Sequence, residues 1–261
     1  SIGLVPTMGS LHEGHLTLIE KAKAFSEITI VSIFINPIQF NSKKDLKMYP
    51  KNHNKDLKTL NEKGVDCIFI PKNKDIYSQD YDTYVSVSSY NNILCAKHRR
   101  EHFKGVTTVI AILLNLIKPK IAVFGEKDFQ QLLIVKKMVH DLKYKTKIIS
   151  SEIIRDIKGL ALSSRNSLLT KEQYSLAIKI NKIINLKGKE LPTDCRKIIT
   201  NIKKQLIREG IRDLEYLEIR EQETLKKINF FEKDLQSLKA RIFIAVTIGN
   251  VRLIDNRLIK F

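Results

Sequence analysis

Cysteine is scarce in this chain of 261 residues, which contains three of them: Cys67, Cys95 and Cys195. Because the set is odd and widely spaced, it argues against a disulfide framework and against a cysteine-based zinc site. Scattered cysteines are typical of a reducing compartment, and we therefore expect a cytoplasmic protein.

Long apolar runs are lacking as well. The longest one, at 106–117, is shorter than the ~20 residues that a membrane-spanning helix needs, and Lys118-Pro119 ends it. The sequence also opens without the pattern of a signal peptide. We expect no membrane partner.

Positive charge, in contrast, is abundant: 46 Lys and Arg against 28 Asp and Glu give a formal net charge of +18. Such an excess suggests nucleic-acid binding, because Lys and Arg neutralise phosphates. However, the basic residues are spread thinly, are interrupted by acidic ones, and are not interleaved with the aromatic side chains on which bases stack. A solvated basic surface is the favoured interpretation, and we expect no nucleic-acid partner.

Apolar residues are sufficient to bury a core, since 43% of the chain is hydrophobic. The length corresponds to one large domain or two modest ones. In the first part of the chain, β-branched runs alternate with helical patterns, which predicts an α/β fold with a mostly parallel sheet. The predicted strands are 2–5, 28–35, 65–70, 121–124 and 147–154, and the predicted helices are 11–25, 54–63, 103–117 and 126–140.

The pattern changes after residue 166, where helices are followed by a small antiparallel sheet. The predicted helices are 171–186 and 193–208, and the predicted strands are 214–219, 241–248 and 251–254. We therefore expect two domains, 1–167 and 168–261, the second one smaller and of the α+β type. Since the sequence opens within a strand pattern, we also expect residues upstream of Ser1.

Four segments with chemically useful side chains lie where a predicted strand meets a loop: 6–15, 33–40, 124–131 and 159–166. In open α/β sheets, ligands bind outside the carboxyl ends of the strands. The positions of these segments therefore point to one ligand site.

The first segment places His12 and His15 three residues apart at the start of a helix, so both side chains share a face close to backbone N–H groups. Such a pair is suited to holding phosphate oxygens, and Gly14 would leave room for a nucleotide. The alternatives are a zinc pair or two capping histidines. No further cysteine or histidine nearby completes a zinc site.

The second segment ends a strand with Asn36 and Gln39, whose amides bind hydroxyl and carboxylate groups without adding charge. Asn-Pro also marks an ordinary turn, and the two interpretations stay open.

The third and fourth segments carry charged and hydroxyl groups. Gly125 allows close approach of a ribose, Lys127 offers a cation for phosphate, and Asp128 accepts hydrogen bonds from hydroxyl groups. Alternatively, Glu126 and Asp128 are ordinary acidic residues at the start of a helix. In 159–166, Ser-Ser-Arg forms a polyphosphate clamp or an ordinary loop.

Together and in order, the segments VPTMGSLHEGH, SIFINPIQF, GEKDFQQL and GLALSSRN resemble the signatures of the pantoate–β-alanine ligase family. These enzymes are adenylate-forming relatives of the nucleotidyltransferases and of class I aminoacyl-tRNA synthetases. HFKGV at 102–106 and RLIDN at 252–256 extend the resemblance to nearly the whole chain.

The resemblance implies a Rossmann-like sheet domain of the nucleotidyltransferase type that binds ATP and pantoate, followed by a smaller lid domain. It further implies that a strand and a helix precede the first segment. The implied reaction joins pantoate to β-alanine through a pantoyl adenylate, with ATP and Mg²⁺ as cofactors, in a homodimer. Two alternatives remain, a cytidylyl- or adenylyltransferase and a basic nucleic-acid-binding protein on a synthetase-like fold.

Carried over position by position, the resemblance implies three groups of site residues, and it identifies no metal ligand. The catalytic residues are His12, His15 and Lys127. The ATP-binding residues are Met8, His15, Gly125, Lys127, Asp128, Ile154, Leu162, Ser163, Ser164 and Arg165. The pantoate-binding residues are Pro6, Met8, Asn36, Gln39, Phe40 and Gln131, with Asn36 orienting the region.

Overall fold

The structure, a computed structural model, describes residues 1–186, 192–231 and 239–259. Two compact units divide the chain, Ser1–Ile154 and Arg155–Phe261. No helix in the described part of the chain is long and apolar enough to cross a membrane.

The first unit contains a parallel sheet of five strands, in the order β3-β2-β1-β4-β5. Its strands are β1 (Ile2–Thr7), β2 (Ile28–Ile33), β3 (Cys67–Phe69), β4 (Ile121–Gly125) and β5 (Lys147–Ser151). Because β1 pairs with β2 on one side and β4 on the other, the strand order reverses between β1 and β4. Such a reversal opens a crevice at the carboxyl ends of the strands, where ligands bind in sheets of this kind.

Seven helices of the first unit connect or follow these strands. They are α1 (Glu13–Phe25), α2 (Lys43–Met48), α3 (His53–Glu62), α4 (Asn73–Ile76), α5 (Leu94–His98), α6 (His102–Ile117) and α7 (Phe129–Asp141). The apolar stripe of α1 packs on the sheet, where Leu16 and Ile19 meet Val5 and Val31 in one buried cluster. The predicted α/β fold with a parallel sheet is therefore confirmed.

The second unit is an antiparallel sheet, in the order β6-β7-β8, that shares a core with two helices. Its elements are α8 (Lys171–Ile184), α9 (Cys195–Arg208), β6 (Asp213–Glu221), β7 (Ala240–Ile248) and β8 (Val251–Ile259). Strands β7 and β8 pair across Gly249, which adopts φ +60°. This arrangement confirms the predicted small antiparallel sheet.

The boundary between the units lies at Ile154/Arg155 and not at the predicted 167/168. The reason is that Arg155 forms a bidentate ion pair with Asp255 of β8, in which the two guanidinium nitrogens lie 2.7 and 2.8 Å from the two carboxylate oxygens. Leu160 also packs in the core of the second unit. The segment 155–167 therefore folds with the residues that follow it.

Candidate active site

The loop after β1 brings the first segment into position. Gly9 and Ser10 both have left-handed backbone conformations, with φ +76° and +51°. The buried carboxylate of Asp56, on α3, accepts hydrogen bonds from the backbone N–H groups of Ser10 (2.7 Å) and Leu11 (2.8 Å). Because both oxygens of one carboxylate hold consecutive amides, the path of the loop is fixed just before His12.

His12 and His15 lie together at the start of α1, as the sequence predicts. His12 is the N-cap residue, and its ring centroid is 4.1 Å from that of His15. The backbone N–H of His12 donates to Nδ1 of His15 at 3.4 Å. Since Nδ1 accepts this bond, a neutral His15 carries its proton on Nε2, which is thereby a donor for a ligand.

Both imidazoles are neutral at physiological pH. Burial, reinforced by the nearby Lys127 ammonium and partly opposed by Asp128, lowers the pKa of His12 to about 4. Burial, followed by the neighbouring His12 and Lys127, lowers the pKa of His15 to about 3. The pair therefore offers neutral hydrogen-bond donors, and the positive charge that helps to lower both pKa values is that of Lys127.

The two glycines of this site differ in the space around them. A Cβ atom on Gly14 would lie 2.9 Å from Cε1 and 3.0 Å from Nδ1 of His12. The space beside Gly14 is thus filled by the His12 ring, and not left for a nucleotide as the sequence suggested. A Cβ atom on Gly125 would meet nothing within 4 Å, so the end of β4 is open.

The residues after β4 form a short 3₁₀ turn, Glu126–Asp128, that leads into α7. Nζ of Lys127 lies 3.8 Å from Oδ2 of Asp128, whose side chain is about half exposed. Of the two glutamines that follow, Gln130 is buried, and its amide bonds Cys95 N, Tyr90 O and Ile93 O. Gln131, the predicted ligand, is less buried than Gln130.

The turn after β2 joins Asn36, Gln39 and Met8. Asn36 caps a 3₁₀ turn at Pro37–Gln39 and is 1% exposed. Its Nδ2 donates to Oε1 of Gln39 at 3.2 Å, and Nε2 of Gln39 lies 2.8 Å from Sδ of Met8. This contact brings together side chains from the ends of β1 and β2, both predicted to bind pantoate.

Helix α6 packs closely against the same turn. A Cβ atom on Gly105 would lie 2.7 Å from the backbone nitrogen of Gln39. The backbone oxygen of Gln39 lies 2.7 Å from Nδ1 of His102 and accepts from Arg99 at 3.2 Å. The HFKGV segment thus acts as a support for Gln39.

The remaining predicted pantoate ligands lie at the same strand ends. Pro6 is within β1, and Phe40 follows the 3₁₀ turn. The ring of Phe40 packs edge-on against Tyr49, with centroids 5.6 Å apart.

Ile154, predicted to lie near adenine, ends the first unit after β5.

Leu162, Ser163, Ser164 and Arg165 belong to the second unit. Ser163 caps the 3₁₀ turn Ser164–Leu168, and its Oγ accepts from Arg165 N at 3.3 Å. The side chain of Asn166 donates to Ala161 O at 3.0 Å, and Arg155 pairs with Ala161 in a β-bridge. Because Arg155 is held by Asp255, the RLIDN segment anchors this loop.

Within residues 1–186, 192–231 and 239–259, no group of three His, Cys, Asp or Glu side chains is placed to hold a metal ion.

Two residues of the site were not predicted from the sequence, Asp56 and Tyr77. The hydroxyl of Tyr77 donates to Oδ1 of Asn36 at 2.9 Å. Asp56 is one of two acidic residues on a polar helix, and Tyr77 lies in a segment without periodicity. Neither position carries a local signal that distinguishes it.

Comparison with known proteins identifies the relatives of this chain. The family described as pantoate-beta-alanine ligase matches residues 1–258. A pantothenate synthetase of Thermoanaerobacter sp. (strain X514) is 44% identical over 260 residues, which cover 98% of this chain and 90% of the relative. The pantothenate synthetase of Acetivibrio thermocellus is 39% identical over 265 residues, covering 99% and 92%.

Solved structures give the same result. Pantothenate synthetase from Thermus thermophilus superposes with a TM-score of 0.89 at 34% identity, covering 98% of this chain and 92% of that one. Pantoate-beta-alanine ligase from Francisella tularensis, complexed with beta-gamma ATP and beta-alanine, gives a TM-score of 0.82 at 38% identity, covering 99% and 89%.

Proposed function

The chain belongs to the pantoate–β-alanine ligase family, and on this basis we propose that it joins pantoate to β-alanine at the expense of ATP. In the first step, a carboxylate oxygen of pantoate attacks the α-phosphorus of ATP. The bond to the β-phosphate breaks and pyrophosphate leaves. In the second step, the amine of β-alanine attacks the acyl carbon of the pantoyl adenylate and loses a proton. The bond to AMP breaks, which yields pantothenate and AMP.

The observation that carries the nucleotide part of this proposal is the pair of neutral imidazoles beside Lys127. Nucleotidyl transfer requires positioned donors around the phosphates and no covalent nucleophile on the protein. His15, with its proton on Nε2, supplies such a donor, and His12 lies 4.1 Å from it at the same helix start. Lys127 supplies the positive charge that offsets charge developing on the leaving pyrophosphate.

The pantoate part rests on the contact between Met8 and Gln39. Gln39 presents a neutral amide and Met8 an apolar surface, which suit a small molecule with hydroxyl and carboxylate groups on an aliphatic skeleton. Pro6, Phe40 and Gln131 are proposed to complete this surface.

The other ATP contacts are proposed from family membership and local chemistry. Ser163, Ser164 and Arg165 would bind the β- and γ-phosphates as hydroxyl and guanidinium donors. Gly125 and Asp128 would contact ribose, and Ile154 and Leu162 adenine. The open space at the Gly125 Cα supports the ribose assignment.

Three further properties are proposed from family membership: a homodimer, a cytoplasmic location and the use of Mg²⁺. An Mg²⁺ ion that enters with a triphosphate is bound mainly by phosphates and water and needs one or two protein carboxylates. The half-exposed carboxylate of Asp128, in the 3₁₀ turn after β4, fits that requirement.

The test separates the two steps. ATP and pantoate are incubated with the full chain, and pyrophosphate is measured; β-alanine is then added and AMP is measured. We expect pyrophosphate with pantoate alone and AMP release after β-alanine. If pantoate elicits no pyrophosphate, the proposed reaction is wrong for this chain.

Lys127 is the positive charge close to both histidines. Lys127→Ala should slow pantoate-dependent pyrophosphate release by about 10²–10³-fold, the usual cost of removing one transition-state donor, with little change in the melting temperature. Lys136→Ala, an exposed cation on α7, is the control for charge and should retain full activity. Near-normal turnover of Lys127→Ala would exclude the assigned role.

A further inference from the structure

Backbone groups fix the orientation of the Asn36 amide. Its Oδ1 accepts from the backbone N–H of Ile38 at 3.3 Å, and its Nδ2 donates to the carbonyl of Gly105 at 2.9 Å. A backbone N–H always donates and a carbonyl always accepts, so rotating this amide by 180° would break both bonds. The positions of its oxygen and nitrogen are therefore determined.

This orientation is passed on to Gln39. Because Nδ2 of Asn36 is a donor, the Gln39 atom that faces it at 3.2 Å is the oxygen, Oε1. Nε2 of Gln39 must then point the other way, toward Met8, where it lies 2.8 Å from Sδ. A thioether sulfur is a weak acceptor, so this N–H group is available to a stronger oxygen acceptor on a ligand.

Tyr77 donates a further hydrogen bond to Asn36, the residue that orients the Gln39 amide. At 2.9 Å its hydroxyl is closer to Oδ1 of Asn36 than Ile38 N is. Tyr77 is buried, and its ring packs edge-on against Tyr81 with centroids 4.9 Å apart. Burial, reinforced by Tyr81, raises the pKa of Tyr77 well above its usual range, so the hydroxyl remains a donor.

The amide of Asn36 is also fully used within the protein. Its oxygen accepts two hydrogen bonds and its nitrogen donates two, which is the full capacity of a carboxamide. Asn36 therefore acts through its neighbours and not by contact with a substrate.

We propose that Tyr77 is a positioning residue for pantoate: its hydroxyl, acting through Asn36, holds the Gln39 amide with Nε2 directed at an oxygen atom of the substrate. This inference rests on the proposed function, because it takes pantoate as the ligand of Gln39. Tyr77 itself does not touch the substrate, and Nε2 of Gln39 is the donor in the hydrogen bond to pantoate.

Tyr77→Phe tests the proposal in the full chain, with Tyr81→Phe as a matched control from the same aromatic cluster. Loss of the 2.9 Å bond should raise the KM for pantoate about five- to tenfold, the effect of one hydrogen bond, with the KM for ATP and kcat nearly unchanged. Tyr81→Phe should leave the KM for pantoate unchanged. A purely structural role for Tyr77 would instead lower the melting temperature and change the KM of both substrates alike.

A double variant separates positioning from general damage. The rise in melting temperature caused by saturating pantoate measures binding without turnover. Tyr77→Phe should reduce this rise in the wild-type background and have no further effect in a Gln39→Ala background. Equal effects in both backgrounds, or an unchanged KM for pantoate, would overturn the positioning role. Absence of pantoate-dependent pyrophosphate from the unmodified chain would instead show that the proposed function fails.

Discussion

At the scale of single residues, Gly14 determines where the His12 imidazole lies. A Cβ atom at this position would come within 2.9 Å of the ring, so an alanine forces the ring to move. The backbone itself favours the substitution, since alanine in a helix is about 1 kcal/mol better than glycine. An alanine at this position should therefore stabilise the helix while it displaces the His12 ring.

Gly14→Ala is expected to reduce pantoate-dependent pyrophosphate release at least about tenfold, as expected when a catalytic group is displaced by a fraction of an ångström or more. Its melting temperature should be equal to or above that of the wild type. In a His12→Ala background, the added alanine should cause no further loss of activity. Full activity of Gly14→Ala, or an additional loss in the double variant, would show that Gly14 does not act through His12.

At the scale of secondary-structure elements, the loop between β1 and α1 depends on a carboxylate from α3. Asp56 is 3% exposed and accepts from Ser10 N and Leu11 N with separate oxygens. Asparagine retains one acceptor and turns an NH₂ group toward the other backbone N–H. That change removes one hydrogen bond and leaves a buried donor without a partner.

Asp56→Asn should lower the free energy of unfolding by about 1–3 kcal/mol and also reduce pyrophosphate release, because the loop leads directly into His12. Asp66→Ala is the control: its carboxylate accepts from Thr29 N at 2.8 Å, elsewhere along the sheet, and alanine removes that bond. The control should lose stability but keep its turnover. If the two variants lose activity equally, the effect belongs to general stability and not to the loop.

The long elements could be predicted from the sequence because each buries one face and so carries a periodic pattern. The short helices α2, α4 and α5 were missed since they lie in stretches without such a pattern. Helix α2, for example, lies in a polar, lysine-rich stretch and is capped by Ser42.

The sequence motifs indicate the candidate site residues, but not the residues elsewhere in the chain that hold them in place. His12 and His15 are neighbours along one helix, so their spacing alone brings their side chains together. The bonds from Asp56 to Ser10 and from Tyr77 to Asn36 join residues 46 and 41 positions apart, and depend on how the helices pack. No periodicity encodes such contacts, which explains why both supporting residues emerged only from the structure.

At the scale of the whole molecule, the two histidines make stability depend on pH. In the unfolded chain each imidazole has its ordinary pKa of 6.5, whereas in the folded protein the values are about 4 and about 3. Between these limits the unfolded state binds protons that the folded state does not. The stabilising contribution is therefore complete above about pH 6.5 and is lost progressively as the pH falls, toward about 4 for His12 and about 3 for His15.

The free energy of unfolding, measured in urea, should fall by about 1–3 kcal/mol between about pH 7 and pH 5 because of this pair, allowing for its partial exposure to solvent. A variant with His12→Gln and His15→Gln should show a flatter profile over the same interval. Carboxylates with lowered pKa values, such as Asp141, lose their contribution only at lower pH, so this interval reports chiefly on imidazoles. Parallel profiles for the two proteins would mean that the histidines are not kept neutral by the fold. Their proposed role as uncharged donors to phosphate would then have to be replaced by one in which they bind as cations.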